Sequence, residues 1–245
     1  MSDNWDSYFC TVDDATASIF VNLGLAQDLP MASLSHLASV RLRMRNPRED
    51  GLSSADEAPD LWRLEDALDS EVKSTDPAGI FVGRSTSGGI RSFFFYVPSL
   101  EGCASRIQGV VRKFPDYKIE VDVLEEPTWK TYFDFLLPNE EQRQTIGNRK
   151  VCERLAHRGD SLDQPREIDH WIYFRETRQR EQFQSTCMEM GFQTRGLTDS
   201  PDAAERYGIQ VYRVDLPSYG AIDDVTLPLF RLARACGGEY DGWET

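Results

Sequence analysis

The chain has 245 residues, 40% of them hydrophobic and 28% charged, and a formal net charge of −14. That length holds one large domain or two ordinary ones, and either can bury a real core. So acidic a surface repels phosphate backbones, which argues against direct nucleic-acid binding and for a protein partner with a basic segment.

No apolar run approaches the ~20 residues of a membrane helix, so no membrane association is expected. Residues 1–6 are polar and acidic, unlike a secretory signal, and a cytoplasmic setting is the expectation. Cys10, Cys103, Cys152, Cys187 and Cys236 are scattered, and no two have C-x-x-C spacing. Neither a disulfide framework nor a zinc site is expected.

In chain order, residues 5–12 and 15–23 read as two strands turned by Asp13-Asp14, a hairpin. Residues 26–35 are a connector. Ala38, Val40, Leu42 and Met44 alternate with Ser39, Arg41, Arg43 and Arg45, a half-buried strand with one basic face. A polar loop leads to Asp60, a candidate cap for a helix carrying Leu61, Leu64, Leu68 and Val72 on one side. Residues 80–84 and 91–97 are strands joined across Ser85-Thr86-Ser87-Gly88-Gly89. Residues 99–114 suit a helix that buries Ile107, Val110, Val111 and Phe114 and breaks at Pro115. Ile119, Val121 and Val123 alternate with Lys118, Glu120 and Asp122 in a last strand.

From Ala38 onward the order is β-α-β-β-α-β, that of a ferredoxin-like domain with an added N-terminal hairpin. Its first and last strands are neighbours, so Arg41, Arg43 and Arg45 are expected to face Glu120 and Asp122. The strand Ser92-Phe93-Phe94-Phe95-Tyr96 carries rings on both faces. Helices on one side leave some of these rings uncovered, and the hairpin or the second domain is the expected cover.

Residues 128–138 hold Trp129, Tyr132, Phe133, Phe135, Leu136 and Leu137, too apolar for a flexible linker. They read as a buried junction between a domain at 1–127 and a second at 139–245. Asn139 is positioned to cap a helix reaching about His157. Ile168, Trp171 and Tyr173 mark a strand, and Phe183, Thr186, Cys187 and Met190 a helix stopped by Gly191. Two strands, 192–198 and 207–216, flank the turn-rich Asp199-Ser200-Pro201-Asp202. Val225, Leu229, Leu232, Ala233 and Cys236 form the stripe of a final helix ended by Gly237. The second domain is therefore a related α-β-α-β-β-α unit, and the fold class is α+β with two α/β sandwiches.

This order, closing on Gly237-Gly238-Glu239-Tyr240-Asp241-Gly242-Trp243, resembles the regulator of ribonuclease E activity B family over residues 139–245. The resemblance implies a small α/β domain that binds and inhibits a bacterial ribonuclease. Trp5, Tyr8 and the Trp129-x-x-Tyr132 junction make the first half similar to an uncharacterised family found fused in front of such domains. That resemblance implies no chemistry.

No nucleophile elbow, phosphate-binding loop or paired-histidine metal motif is present. His36, His157 and His170 are not spaced as ligands, and Asp169-His170 on a strand point to opposite faces. No catalytic residue, metal or cofactor is expected. Two surfaces could receive a cationic partner. Residues 49–76 carry ten Asp/Glu against two Lys/Arg, which reads first as a solvated loop and helix face. In the tail, Tyr240 and Trp243 read first as core rings, and alternatively as part-exposed anchors beside Glu239 and Asp241. Glu239, Tyr240, Asp241 and Trp243 are thus the candidate binding residues. The expectation is a non-catalytic protein that acts by protein-protein contact, inhibiting or modulating a ribonuclease. The alternative is an enzyme or small-ligand binder with its site in an interdomain cleft.

Overall fold

Asp13 and Asp14 sit at φ values of 49° and 62°, the left-handed pair that a two-residue hairpin turn requires. They join β1 (Trp5–Val12) to β2 (Ala15–Asn22). The computed structural model describes residues 3–100, 102–200 and 207–245, and the chain divides into two units, Met1–Pro138 and Asn139–Thr245.

In the first unit β3 (His36–Arg43), α1 (Ala58–Lys73), β4 (Ile80–Ser87), β5 (Ile90–Val97), α2 (Cys103–Val111) and β6 (Ile119–Glu125) follow in the expected order. The sheet runs β1-β2-β4-β5-β3-β6, and every pairing is antiparallel. The run β6-β3-β5-β4 is the ferredoxin-like arrangement, and the hairpin extends it beyond β4. Leu61, Leu64, Leu68 and Val72 of α1 and Ile107 and Val110 of α2 pack on Ala38, Val40, Leu42, Phe93, Phe95 and Val97.

Three local expectations shift. Pro59 fits the first turn of a helix, so α1 starts at Ala58 and Asp60 lies inside that turn rather than at the cap. The β4–β5 turn shrinks to Gly88-Gly89, whose φ values of 56° and 77° suffice for a two-residue loop. Arg41 stands opposite Glu120 in the ladder and Ser39 opposite Asp122. No ion pair joins Arg41 to Glu120; Arg45 turns instead to Asp60, to Glu57 at 3.8 Å and to Asp116 at 3.7 Å.

The rings on the second face of the sheet are covered by the junction itself, and not by the hairpin. Trp129 stacks on Tyr96 with centroids 3.7 Å apart, and Phe135 meets Phe94 edge-on at 5.8 Å. A π-helical turn, Thr131–Leu136, holds this cover in place. Tyr132 Oη donates to Asn22 O at 2.7 Å, and Tyr8 Oη to Leu136 O at 3.0 Å. Residues 129–136 are thus a layer of the first unit, with Trp129, Tyr132 and Leu136 fully buried.

The second unit opens with α3 (Glu140–His157), capped by reciprocal bonds between Asn139 and Gln142 of 2.8 and 2.9 Å. β7 (Arg166–Phe174), α4 (Thr177–Glu189), β8 (Gln193–Asp199), β9 (Tyr207–Asp215) and α5 (Ala221–Ala235) follow. Pro201 and Asp202 of the expected turn lie outside the described residues. The tail then forms an element the sequence reading lacks, β10 (Gly238–Glu244), and the sheet order is β10-β7-β9-β8. After α3, this unit therefore repeats the β-α-β-β-α-β order and strand arrangement of the first. No described helix is long and apolar enough to cross a membrane.

Candidate functional site

Two adjacent glycines launch the tail. Gly237 takes φ 76°, the left-handed stop of α5. Gly238 lies flat on Phe174, where an added Cβ would come within 2.2 Å of the ring. β10 then runs antiparallel to β7, with Glu239 opposite Tyr173 and Tyr240 opposite Ile172. A bulge at Asp241 resets the register, so Gly242 faces Trp171 and Trp243 faces His170. The extra residue returns Trp243 to the same side as Tyr240.

Both rings consequently belong to the core of the second unit, with Tyr240 6% and Trp243 7% exposed. Glu239 and Asp241 project into solvent. The reading of Tyr240 and Trp243 as part-exposed anchors gives way to that of core rings, because each also finds a buried polar partner. Tyr240 Oη lies 2.8 Å from His170 Nδ1. Trp243 Nε1 donates to Asn148 Oδ1 at 2.9 Å, and Asn148 Nδ2 donates to Asp223 Oδ1 and Thr226 Oγ1, both at 2.6 Å. Burial pushes the Tyr240 phenol and the Asp223 carboxyl upward. Burial, with Arg213 nearby, lowers His170 from 6.5 to about 3, so this imidazole is neutral at physiological pH.

A groove of about 820 Å³ opens beside the bulge. α3 contributes Gln144, Arg154 and His157, β7 contributes Trp171 and Tyr173, and β10 contributes Asp241, Trp243 and Glu244. Glu239 and Tyr240 line a smaller hollow of about 510 Å³ with Phe230 and Arg234. Trp171 and Tyr173 are half-buried on the sheet face opposite Ile168, His170, Ile172 and Phe174. Gly242, the residue facing Trp171, carries no side chain to lay over that ring. Next to them Arg195 bonds Glu167 and Asp169, both at 2.6 Å, and lies 4.0 Å over the Tyr212 ring. Sequence reasoning took Trp171 and Tyr173 only as strand formers. The alternation of Ile168, His170, Ile172 and Phe174 was the signal that put them on the other face.

The acidic run at 49–76 is largely committed within the first unit. Glu57, 3% exposed, accepts the backbone N–H groups of Arg45 and Asn46 at 2.7 Å each. Glu65 binds Arg84 through both oxygens at 2.6 and 2.7 Å. Asp50 pairs with Arg48, Asp69 with Lys73 and Glu71 with Arg106, while Asp60 holds Arg45 and Arg63. Among the described residues, Glu49, Asp56, Asp66 and Asp76 are exposed and make no ion pair, and remain for a partner.

His170 faces the core and Asp169 faces Arg195, so these neighbours do not act jointly. Among the described residues, no group of three or more His, Cys, Asp or Glu is placed to hold a metal ion.

Comparison with known proteins separates the same two regions. Residues 3–137 match the model of a family of unknown function, DUF695, and residues 145–245 match that of the regulator of ribonuclease activity B. The second match supports a regulatory role on ribonuclease activity. No curated protein matches the chain. A crystal structure of an unknown protein from Galdieria sulphuraria is 12% identical, covers 84% of this chain and 95% of its own, and has a TM-score of 0.22.

Proposed function

The chain belongs to the DUF695 family of unknown function and carries after that region a match to the regulator of ribonuclease activity B, and from this we propose a non-catalytic regulator of a ribonuclease that acts by protein-protein contact. The contact region is the second unit's tail and the sheet face beside it, and the partner is a basic protein segment.

The observation that carries this reading is the division of β10 into core rings and exposed carboxylates. Tyr240 and Trp243 are fixed in the core by His170 and Asn148. Glu239, Asp241 and Glu244 are thereby held exposed on a rigid strand. Rigid carboxylates lose little freedom on binding, and they steer a cationic partner toward them. Trp171 and Tyr173 add flat rings on which guanidinium or ammonium groups stack. Lys150 and Arg154 line the α3 wall of the groove beside Glu153, and Asp241 and Glu244 line the β10 side, which favours the β10 side for a cationic segment. In this role the tail residues Glu239 and Asp241 contact the partner, and Tyr240 and Trp243 position them. All five cysteines are free, which agrees with a cytoplasmic site of action.

The test is ribonuclease inhibition and direct binding by the full chain, at low and raised salt, against the double variant Glu239→Lys, Asp241→Lys. Salt-sensitive binding that falls at least about tenfold in the variant supports the reading. Unchanged inhibition by a folded variant removes the tail from the contact.

A further inference from the structure

β6 is an outer strand of the first sheet. Arg43 N–H donates to Lys118 O at 3.4 Å, and Glu126 N–H donates to Ser35 O at 2.8 Å. These bonds fix the phase of the ladder. Even-numbered residues of β6 direct their backbone groups to β3, and Ile119, Val121, Val123 and Glu125 direct theirs outward. The β3–β6 ladder has no register shift. Both outer ladders of the second sheet are bulged, at Tyr240/Gly242 and at Thr194/Gly196. A bulge guards an edge against strand addition, and β6 lacks that guard.

The two faces of β6 differ in chemistry. Ile119, Val121 and Val123 are only half-buried against the core, and Val111 and Phe114 beside them are half-buried too. Together they make an apolar ledge along the edge. On the other face Glu120 and Asp122 are exposed and make no ion pair among the described residues. The opposite edge of the sheet, β1, is also regular, but its one charged residue, Asp6, is buried and presents no charge to an added strand.

We propose that the β6 edge accepts one further strand from a partner protein whose cationic and apolar residues alternate. Its backbone bonds the outward groups of Ile119, Val121 and Val123. Its apolar residues extend over the ledge of Val111 and Phe114, and its lysines or arginines stand beside Glu120 and Asp122. A second copy of β6 paired with Val121 opposite Val121 does not fit, because it sets Glu120 against Asp122. The site lies in the first unit and does not depend on the role of the tail.

The experiment is a titration of the full chain with an end-capped peptide that alternates lysine and valine, read by amide hydrogen exchange. Protection is expected at Ile119, Val121 and Val123, with Glu120 and Asp122, already bonded to β3, unchanged. Val121→Pro removes an outward donor that the fold does not use and weakens binding about tenfold. The pair Glu120→Lys, Asp122→Lys moves the preference to a peptide alternating glutamate and valine, and this variant decides if Val121→Pro does not fold. Equal binding of the two peptides by the unaltered chain overturns the proposal, as does absence of binding or protection confined to other strands. So does a dimer of the free chain in which these amides are already protected.

Discussion

Trp243 and Asn148 lie 95 residues apart in sequence, and the indole N–H of one donates to the side-chain oxygen of the other at 2.9 Å. This bond ties the final strand to the first helix of its unit. Asn148 is 1% exposed and also serves Asp223 and Thr226. Asn148→Leu keeps the branching of the side chain and takes away a partner from buried Trp243 and Thr226 and from part-buried Asp223 and Gln144. The expected loss is about 2–4 kcal/mol for the second unit, read by urea unfolding of the full chain. Trp243→Phe removes one donor, and a smaller loss of about 1–2 kcal/mol is expected.

His170 makes the second unit sensitive to acid. Its folded pKa is about 3, against 6.5 for the ordinary group. Between those values the unfolded chain takes up a proton that the folded chain refuses, so stability falls as pH falls. The slope from this one group is at most about 1.4 kcal/mol per pH unit, and it vanishes above the ordinary value. The difference in unfolding free energy between the protein and His170→Gln, followed from neutral pH downward, should narrow steadily. A constant difference would show that His170 is not held neutral.

Trp129 is fully buried at φ 56°, a backbone state that an aromatic residue adopts only when packing demands it. The demand is its stack on Tyr96. Trp129→Ala should cost about 3–5 kcal/mol in the first unit and uncover the second face of its sheet. A matching rise in binding of a hydrophobic dye would follow the loss.

The acids of residues 49–76 should separate into two classes. Glu57→Ala removes a buried carboxylate that accepts two backbone N–H groups, and a loss of about 1–3 kcal/mol is expected. Asp66, exposed and without an ion pair among the described residues, should tolerate Asn within about 0.5 kcal/mol. Thermal unfolding of both variants distinguishes structural carboxylates from spare ones.

The first sheet was legible because its strands alternate strictly, as Ala38, Val40 and Leu42 do, and because its turns carry Asp13-Asp14 and Gly88-Gly89. The capping of α3 was legible for a similar reason, since Asn139 and Gln142 have the required spacing. β10 escaped for a definite physical reason. Its core residues, Tyr240 and Trp243, are three apart instead of two, since the bulge at Asp241 inserts a residue. A search for period two cannot register such a strand. The junction was legible as buried, but Trp129, Tyr132 and Phe135 follow no strand or simple helix period, and burial alone does not say which surface is covered. In the candidate site the exposure of Glu239 and Asp241 was readable from their charge. The open placement of Trp171 depended on Gly242 standing opposite it, a pairing that only the sheet reveals.

Each β-α-β-β-α-β run pairs its first strand with its last, β3 with β6 and β7 with β10. During synthesis the first strand must therefore wait for the whole unit to be made before one of its edges is filled. For β7 the wait ends only with residues 238–244. A nascent chain halted before Gly238 would present a bare strand bearing Trp171 and Tyr173, a ready template for misassembly with its neighbours on a polysome.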